Sequence, residues 1–191
     1  LYDRGELEEV ITQANTFIKQ FPKAALLYNI LGIASAGLGQ LDEAITSYNS
    51  ALKIDPDYFA AYNNLGNVLK ETGHLTQAIQ SYNRAIEINP GYAEGHYNLG
   101  IALKEKGDFR SAIASFKQAI AIKPGYAKAH NNLGLAYKEL GEFTESINSY
   151  QRAIKINPKY AEAYNNLGNV YNSNQKIDSA ILNYKKEKVS L

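Results

Sequence analysis

Apolar and polar residues of this chain follow a helical period in short blocks. In 60–72, apolar residues recur every three or four positions, and Gly73, a residue suited to a helix end, follows the block. A second block, 75–87, has the same period and stops before Pro90, where proline disfavours the α conformation. No segment alternates apolar and polar residues as a half-buried strand does. The pattern predicts an all-α fold made of pairs of short helices.

This pattern recurs every 34 residues. Leu-Gly pairs occupy equivalent places at 31/32, 65/66, 99/100, 133/134 and 167/168, and all five prolines keep the same step. We therefore predict repeats at 25–58, 59–92, 93–126, 127–160 and 161–191, with 1–24 as the second half of an earlier repeat and all of them in one solenoid domain. The last repeat is incomplete because it lacks its closing residues, and it has Gln175 and Glu187 where the others have Gly and Ala. Since both ends cut through a repeat, we interpret the chain as a fragment or a processed protein.

A 34-residue helix–turn–helix repeat with these residues resembles the tetratricopeptide repeat (TPR) family. The family's first-helix positions match Tyr62, Leu65, Gly66 and, with Leu for Tyr, Leu69, and its second-helix positions match Ala78, Tyr82, Ala85 and Pro90. The resemblance covers essentially the whole chain. It implies an α-solenoid of antiparallel helix pairs, a segment of right-handed superhelix, whose first helices line a concave groove.

Numbering each repeat from its first residue, helical winding places positions 2, 5, 6, 9, 12 and 13 of the first helix on one polar face. Position 6 carries an asparagine in four successive repeats. We predict that this face binds a peptide through residues Asn63, Asn64, Asn67, Asn98, Asn131, Asn132, Asn165, Asn166, Asn169, Lys70, Lys104, Lys138, Glu71, Glu105 and Glu139.

The repeated asparagines carry the functional prediction. Asparagine is a weak helix former, so pairs of it inside helices work against local propensity. Its amide both donates and accepts hydrogen bonds, as the backbone of an extended peptide does. The row is similar to the asparagine ladder of O-linked N-acetylglucosamine transferases, which grips extended substrate polypeptide. The alternative is that duplication of an ancestral repeat preserved asparagine without a binding role.

Charged residues on the same face give a weaker signal. Adjacent lysine and glutamate at positions 12 and 13 are typical of solvated helix surface as well as of a binding site. The carboxylate clamp of the heat-shock co-chaperones requires basic residues at positions 2, 5 and 6 of successive repeats. Only Lys128 supplies one of these cations, so the sequence excludes the clamp.

Composition narrows the function further. With 20 Lys+Arg against 19 Asp+Glu, the net charge is +1, which does not indicate a nucleic-acid-binding protein. No apolar run is long enough to span a membrane, and no start resembling a signal peptide is present, so a cytoplasmic location is expected. The chain has no cysteine, and its three histidines do not form a metal-ligand motif. We therefore expect no metal, no cofactor and no catalysis within this chain.

The leading hypothesis is a protein–protein interaction module that binds an extended peptide or a partner protein in an Asn-lined groove. A second hypothesis makes this chain the substrate-recruiting region of a larger, glycosyltransferase-like enzyme. A third is a self-assembling scaffold, because repeat arrays associate through apolar end faces.

Overall fold

The computed structural model describes residues 4–173. It has helices α1 (Arg4–Gln20), α2 (Ala25–Gly37), α3 (Leu41–Ile54), α4 (Phe59–Glu71), α5 (Leu75–Ile88), α6 (Ala93–Glu105), α7 (Phe109–Ile122), α8 (Ala127–Glu139) and α9 (Phe143–Ile156). A further helix, α10, covers 161–173. The described residues contain no strand, and the prediction of an all-α fold of paired helices is confirmed.

Two compact parts make up the chain, residues 1–106 and residues 107–191. In the first part, α2 packs with α3 and α4 with α5 as pairs, and the first helices α2, α4 and α6 contact one another in turn. In the second part, α8 pairs with α9 and contacts α7. The predicted second half of repeat 161–191, including Gln175, Tyr184 and Glu187, lies outside the described residues.

The turn inside each helix pair is fixed by one glycine. Gly73 has a φ of 82°, a conformation that L side chains rarely adopt. Its N–H donates to the Lys70 carbonyl at 3.0 Å, and the N–H of His74 donates to the Leu69 carbonyl at 2.8 Å. This is the Schellman arrangement, which satisfies carbonyls left open at a helix end. The glycines at the equivalent position of the other repeats, Gly39, Gly107 and Gly141, also have a positive φ.

Three helix pairs, in repeats 25–58, 59–92 and 127–160, are each held together by a tyrosine packed on a glycine. A Cβ atom added at Gly66 would lie 2.6 Å from the Tyr82 ring, and one added at Gly134 would lie 2.8 Å from the Tyr150 ring. Both rings are fully buried. Glycine at position 8 therefore lets the two helices of a pair approach closely, and the opposite side of the first helix faces outward.

Candidate functional site

Neighbouring asparagines link one first helix to the next. The amide nitrogen of Asn64 donates to Oδ1 of Asn29 at 3.1 Å, and that of Asn98 donates to Oδ1 of Asn63 at 3.0 Å. In the second part of the chain, Asn166 donates to Asn131 at 3.1 Å. Each bond joins position 6 of one repeat to position 5 of the repeat before it. The repeated Asn pairs therefore have a structural use that helical winding did not reveal.

The two positions differ in exposure. Asn63 is 2% exposed and Asn131 is fully buried, whereas Asn64, Asn98 and Asn166 are half-buried. Helical winding predicted that position 5 lies on the open polar face. The structure differs, because the first helix of the following repeat packs over this position. Asn63 and Asn131 thus lie beneath the row and orient the amides above them.

Asn132 departs from this arrangement. The residue 35 places before it is Tyr97, which offers no amide oxygen. Asn132 is buried, and its amide nitrogen donates to the Lys128 carbonyl one turn earlier at 3.1 Å. Asn131 beside it uses both ends of its amide: its oxygen accepts from Asn166, and its nitrogen donates to the Glu162 carboxylate at 3.0 Å.

Asn67, at position 9, faces a tyrosine of its own helix pair. The Tyr82 hydroxyl donates to Oδ1 of Asn67 at 2.8 Å. Burial raises the pKa of Tyr82 well above its usual value, with the Glu105 carboxylate adding to the shift, so the hydroxyl stays protonated and remains a donor. Asn67 is half-buried, and its amide N–H groups make no hydrogen bond within residues 4–173.

One predicted Lys–Glu pair crosses between repeats. Lys70 Nζ lies 3.6 Å from Glu105 Oε1, and both side chains are partly exposed. Lys138 instead lies 3.9 Å from its neighbour Glu139. Exposed ion pairs of this kind contribute about 0–1 kcal/mol, so they set local charge more than stability. Lys104 is half-buried, and Glu71, Asn165 and Asn169 are exposed.

Four residues outside the predicted set support this face. Asn29 and Glu162 accept hydrogen bonds from predicted site residues, and Asn29 was recognisable as the equivalent of Asn63 one repeat earlier. His96 and His130 bond through Nε2 to the carbonyls of Pro90 and Pro124, at 3.0 and 3.1 Å. A carbonyl only accepts, so Nε2 carries the proton and each histidine ties its first helix to the preceding loop.

The side-chain chemistry on this face is that of recognition. Amides and the Tyr82 hydroxyl supply hydrogen bonds, and two ammonium–carboxylate pairs supply charge. Within residues 4–173, no three His, Asp or Glu side chains are grouped closely enough to hold a metal ion. No helix in that range is long and apolar enough to cross a membrane.

Comparison with known proteins supports the helix-pair architecture. A family model described as TPR repeat matches residues 36–73, 66–107, 100–141 and 135–175. This chain belongs to the TPR family. Comparison with curated protein sequences found no match.

Solved TPR structures superpose well on this TPR chain. A structure described as MamA protein is 31% identical to this chain. The match covers 85% of this chain and 88% of the MamA chain, with a TM-score of 0.74. A second structure of MamA is 28% identical. The match covers 83% of this chain and 92% of the MamA chain, with a TM-score of 0.76. YrrB, described as a TPR protein with an unusual peptide-binding site, is 24% identical. The match covers 84% of this chain and 83% of the YrrB chain, with a TM-score of 0.73. At that identity, the likeness to YrrB shows the fold alone.

Proposed function

We propose that this protein–protein interaction module binds an extended peptide along the half-buried asparagines of its first helices. The observation that carries the proposal is the fixed orientation of Asn64 and Asn98. Each gives one amide N–H to a buried asparagine, which leaves the other N–H and the carbonyl oxygen for a ligand. A side chain already held in place loses little entropy when a ligand binds, so its hydrogen bonds contribute more to affinity.

The ligand is held mainly by its backbone. Packed helices lie about 8–10 Å apart and an extended chain rises about 3.3 Å per residue, so successive amides meet about every third residue of the ligand. Asn67 adds free N–H groups beside the row, and the Lys70–Glu105 pair adds both signs of charge. Backbone capture with such mixed charge favours tolerance of ligand sequence over strict specificity.

The test uses a 12-residue peptide selected from a random library displayed on phage against this protein. Replacing Asn64 and Asn98 together by alanine is expected to weaken its binding about tenfold per amide, since each loses hydrogen bonds of about 0.5–1.5 kcal/mol. Asn49→Ala, an exposed asparagine of α3, is the matched control and leaves affinity unchanged. Calorimetric titration measures all three proteins, and circular dichroism confirms that their helicity is equal.

N-methylation of single peptide bonds in the ligand separates backbone capture from side-chain recognition. Loss of affinity at every third bond supports the amide row. An unchanged dissociation constant for Asn64→Ala with Asn98→Ala contradicts the proposal.

Self-association is a second candidate, supported by apolar side chains on α1 and α2. Val10, Leu26 and Ile33 are 36%, 58% and 49% exposed, and Ile33 and Val10 line a cavity of about 230 Å³. Light scattering over a range of protein concentrations, with Ile33→Lys as the variant, tests it: a mass that rises with concentration only in the wild type supports self-association. Recruitment of substrates to a larger transferase stays a prediction.

A further inference from the structure

A cavity of about 420 Å³ lies in the first part of the chain, between the second helices α1 and α3, with α2 beneath them. Its floor includes Ile11, Leu31 and Ser35. Leu31 and Ser35 are at positions 7 and 11, on the packing side of α2, away from the asparagine face. The cavity therefore shares no residue with the proposed peptide groove.

The next repeat has a groove in the equivalent place, and the two grooves differ in the residues that line them. The second groove, about 350 Å³, has Leu69 where the first has Ser35, and Gln77 where the first has Glu43. Position 11 also carries large residues in the later repeats, Leu103 and Tyr137. Serine at this place thus leaves room at the bottom of the first groove.

Ser35 is a buried polar group with unused hydrogen-bonding capacity. It is 2% exposed as a residue, and its hydroxyl makes no hydrogen bond to any residue in 4–173. The hydroxyl oxygen is not among the fully buried polar atoms that lack a partner, so it keeps contact with the solvent of the groove. Because Ser35 lines the cavity, the unused hydroxyl is available to whatever occupies that space.

Two carboxylates stand at the rim. Asp42 and Glu43 line the cavity in the first turn of α3, and no Lys, Arg or His in residues 4–173 forms an ion pair with either. The earlier half-repeat also has two acidic residues at these positions, Glu8 and Glu9, whereas none of the later repeats does. The cavity therefore combines an apolar floor, an unused hydroxyl and two carboxylates without a cation.

We propose that this cavity binds an arginine side chain presented by a basic segment of a partner protein. The aliphatic stem of arginine packs on Ile11 and Leu31, as long cationic side chains do on apolar surface. Its planar head has five N–H donors, which match the acceptors offered by Asp42, Glu43 and the Ser35 hydroxyl. Lysine has a compact head with three donors, and a purely apolar side chain would leave the carboxylates and the hydroxyl unused.

The test follows backbone amide signals of the ¹⁵N-labelled protein during titration with N-acetyl-arginine amide. N-acetyl-citrulline amide, which has nearly the same shape and no charge, is the matched ligand. We expect saturable shifts at Ser35, Glu43 and Ser47 with the arginine probe and about tenfold weaker binding of the citrulline probe, because hydrogen bonds between charged groups are the stronger ones. Equal binding of the two probes, or the absence of saturable shifts at these residues, overturns the proposal.

Variants of the protein give independent tests. Asp42→Asn with Glu43→Gln keeps the shape and removes the charge, and is expected to weaken arginine binding about tenfold. The control, Asp55→Asn with Asp57→Asn, removes the same charge from the same repeat outside the cavity and leaves binding unchanged. Ser35→Leu, which introduces the residue found in the next repeat, is expected to abolish binding by filling the space. An equal loss in the control pair would show general electrostatic attraction and overturn the site.

The two proposals use different helices: Asn64 and Asn98 lie on α4 and α6, whereas the cavity is lined by α1, α2 and α3. They therefore fail separately. Loss of arginine binding in the cavity variants has no bearing on the Asn64 and Asn98 test, and the reverse also holds.

Discussion

Repeats 59–92 and 127–160 have the same apolar packing and different polar partners. In both, a fully buried tyrosine, Tyr82 or Tyr150, lies against a glycine of the first helix. The Tyr82 hydroxyl bonds to Asn67, but the repeat with Tyr150 has Leu135 at that position. Among the described residues, the buried Tyr150 hydroxyl has no hydrogen-bond partner. The apolar contact thus follows from the repeat itself, whereas each polar contact depends on which residues the particular repeat and its neighbour supply.

The largest expected effect tests what the two repeats share. Gly66→Ala and Gly134→Ala each place a methyl group under 3.0 Å from a buried tyrosine ring. Overpacking of this kind costs about 1–3 kcal/mol, which outweighs the gain of about 1 kcal/mol in helix propensity. We expect both variants to lose about 2 kcal/mol in urea unfolding.

The control for this pair is Gly125→Ala, where an added Cβ meets no atom within 4 Å. It is expected to leave the free energy of unfolding unchanged or slightly raised. If Gly66→Ala were as stable as Gly125→Ala, the tyrosine–glycine contact would not determine how the helices pair.

The buried asparagines sharpen the contrast between the repeats. Asn63 accepts one hydrogen bond, from Asn98, whereas Asn131 accepts from Asn166 and also donates to Glu162. We expect Asn63→Ala to cost about 1 kcal/mol and Asn131→Ala about 2 kcal/mol, because the second removes an additional bond to a charged group.

A double-mutant cycle between Asn131→Ala and Glu162→Ala isolates that bond. A coupling free energy near zero would show that the Glu162 contact contributes nothing. Equal costs for Asn63→Ala and Asn131→Ala would also contradict the predicted difference.

The two tyrosines are expected to respond in opposite directions to loss of the hydroxyl. Tyr82→Phe removes the bond to Asn67 and is expected to cost about 1 kcal/mol. Tyr150→Phe removes a buried hydroxyl that makes no hydrogen bond. The free energy of unfolding is therefore expected to be unchanged or raised by about 1 kcal/mol. Thermal unfolding of both variants measures the difference, and equal losses would indicate that Tyr150 has a partner after all.

Sequence periodicity predicted the helices and their pairing, because these depend on spacing that is repeated in every unit. It also placed Asn64 and Asn98 on an accessible face, where they are half-buried. It did not predict burial of Asn63 and Asn131, since winding a single helix ignores the next helix that covers them. Nor did it single out Ser35, whose significance lies in the space left where other repeats have a larger residue.

The smallest expected effect concerns position 4, where repeat 127–160 has His130 and repeat 59–92 has Tyr62. Burial lowers the pKa of His130, with Arg152 acting in the same direction and the hydrogen bond to the Pro124 carbonyl opposing it. The unfolded chain then binds a proton more readily than the folded chain, so stability is present at neutral pH and is lost as the pH falls through about 6.5 towards the folded-state pKa. Urea midpoints at several pH values between 5 and 8 should therefore decline towards the acid end for the wild type, and His130→Tyr should flatten the decline. A profile that is identical in both proteins would show that His130 is as easily protonated in the folded chain as in the unfolded one.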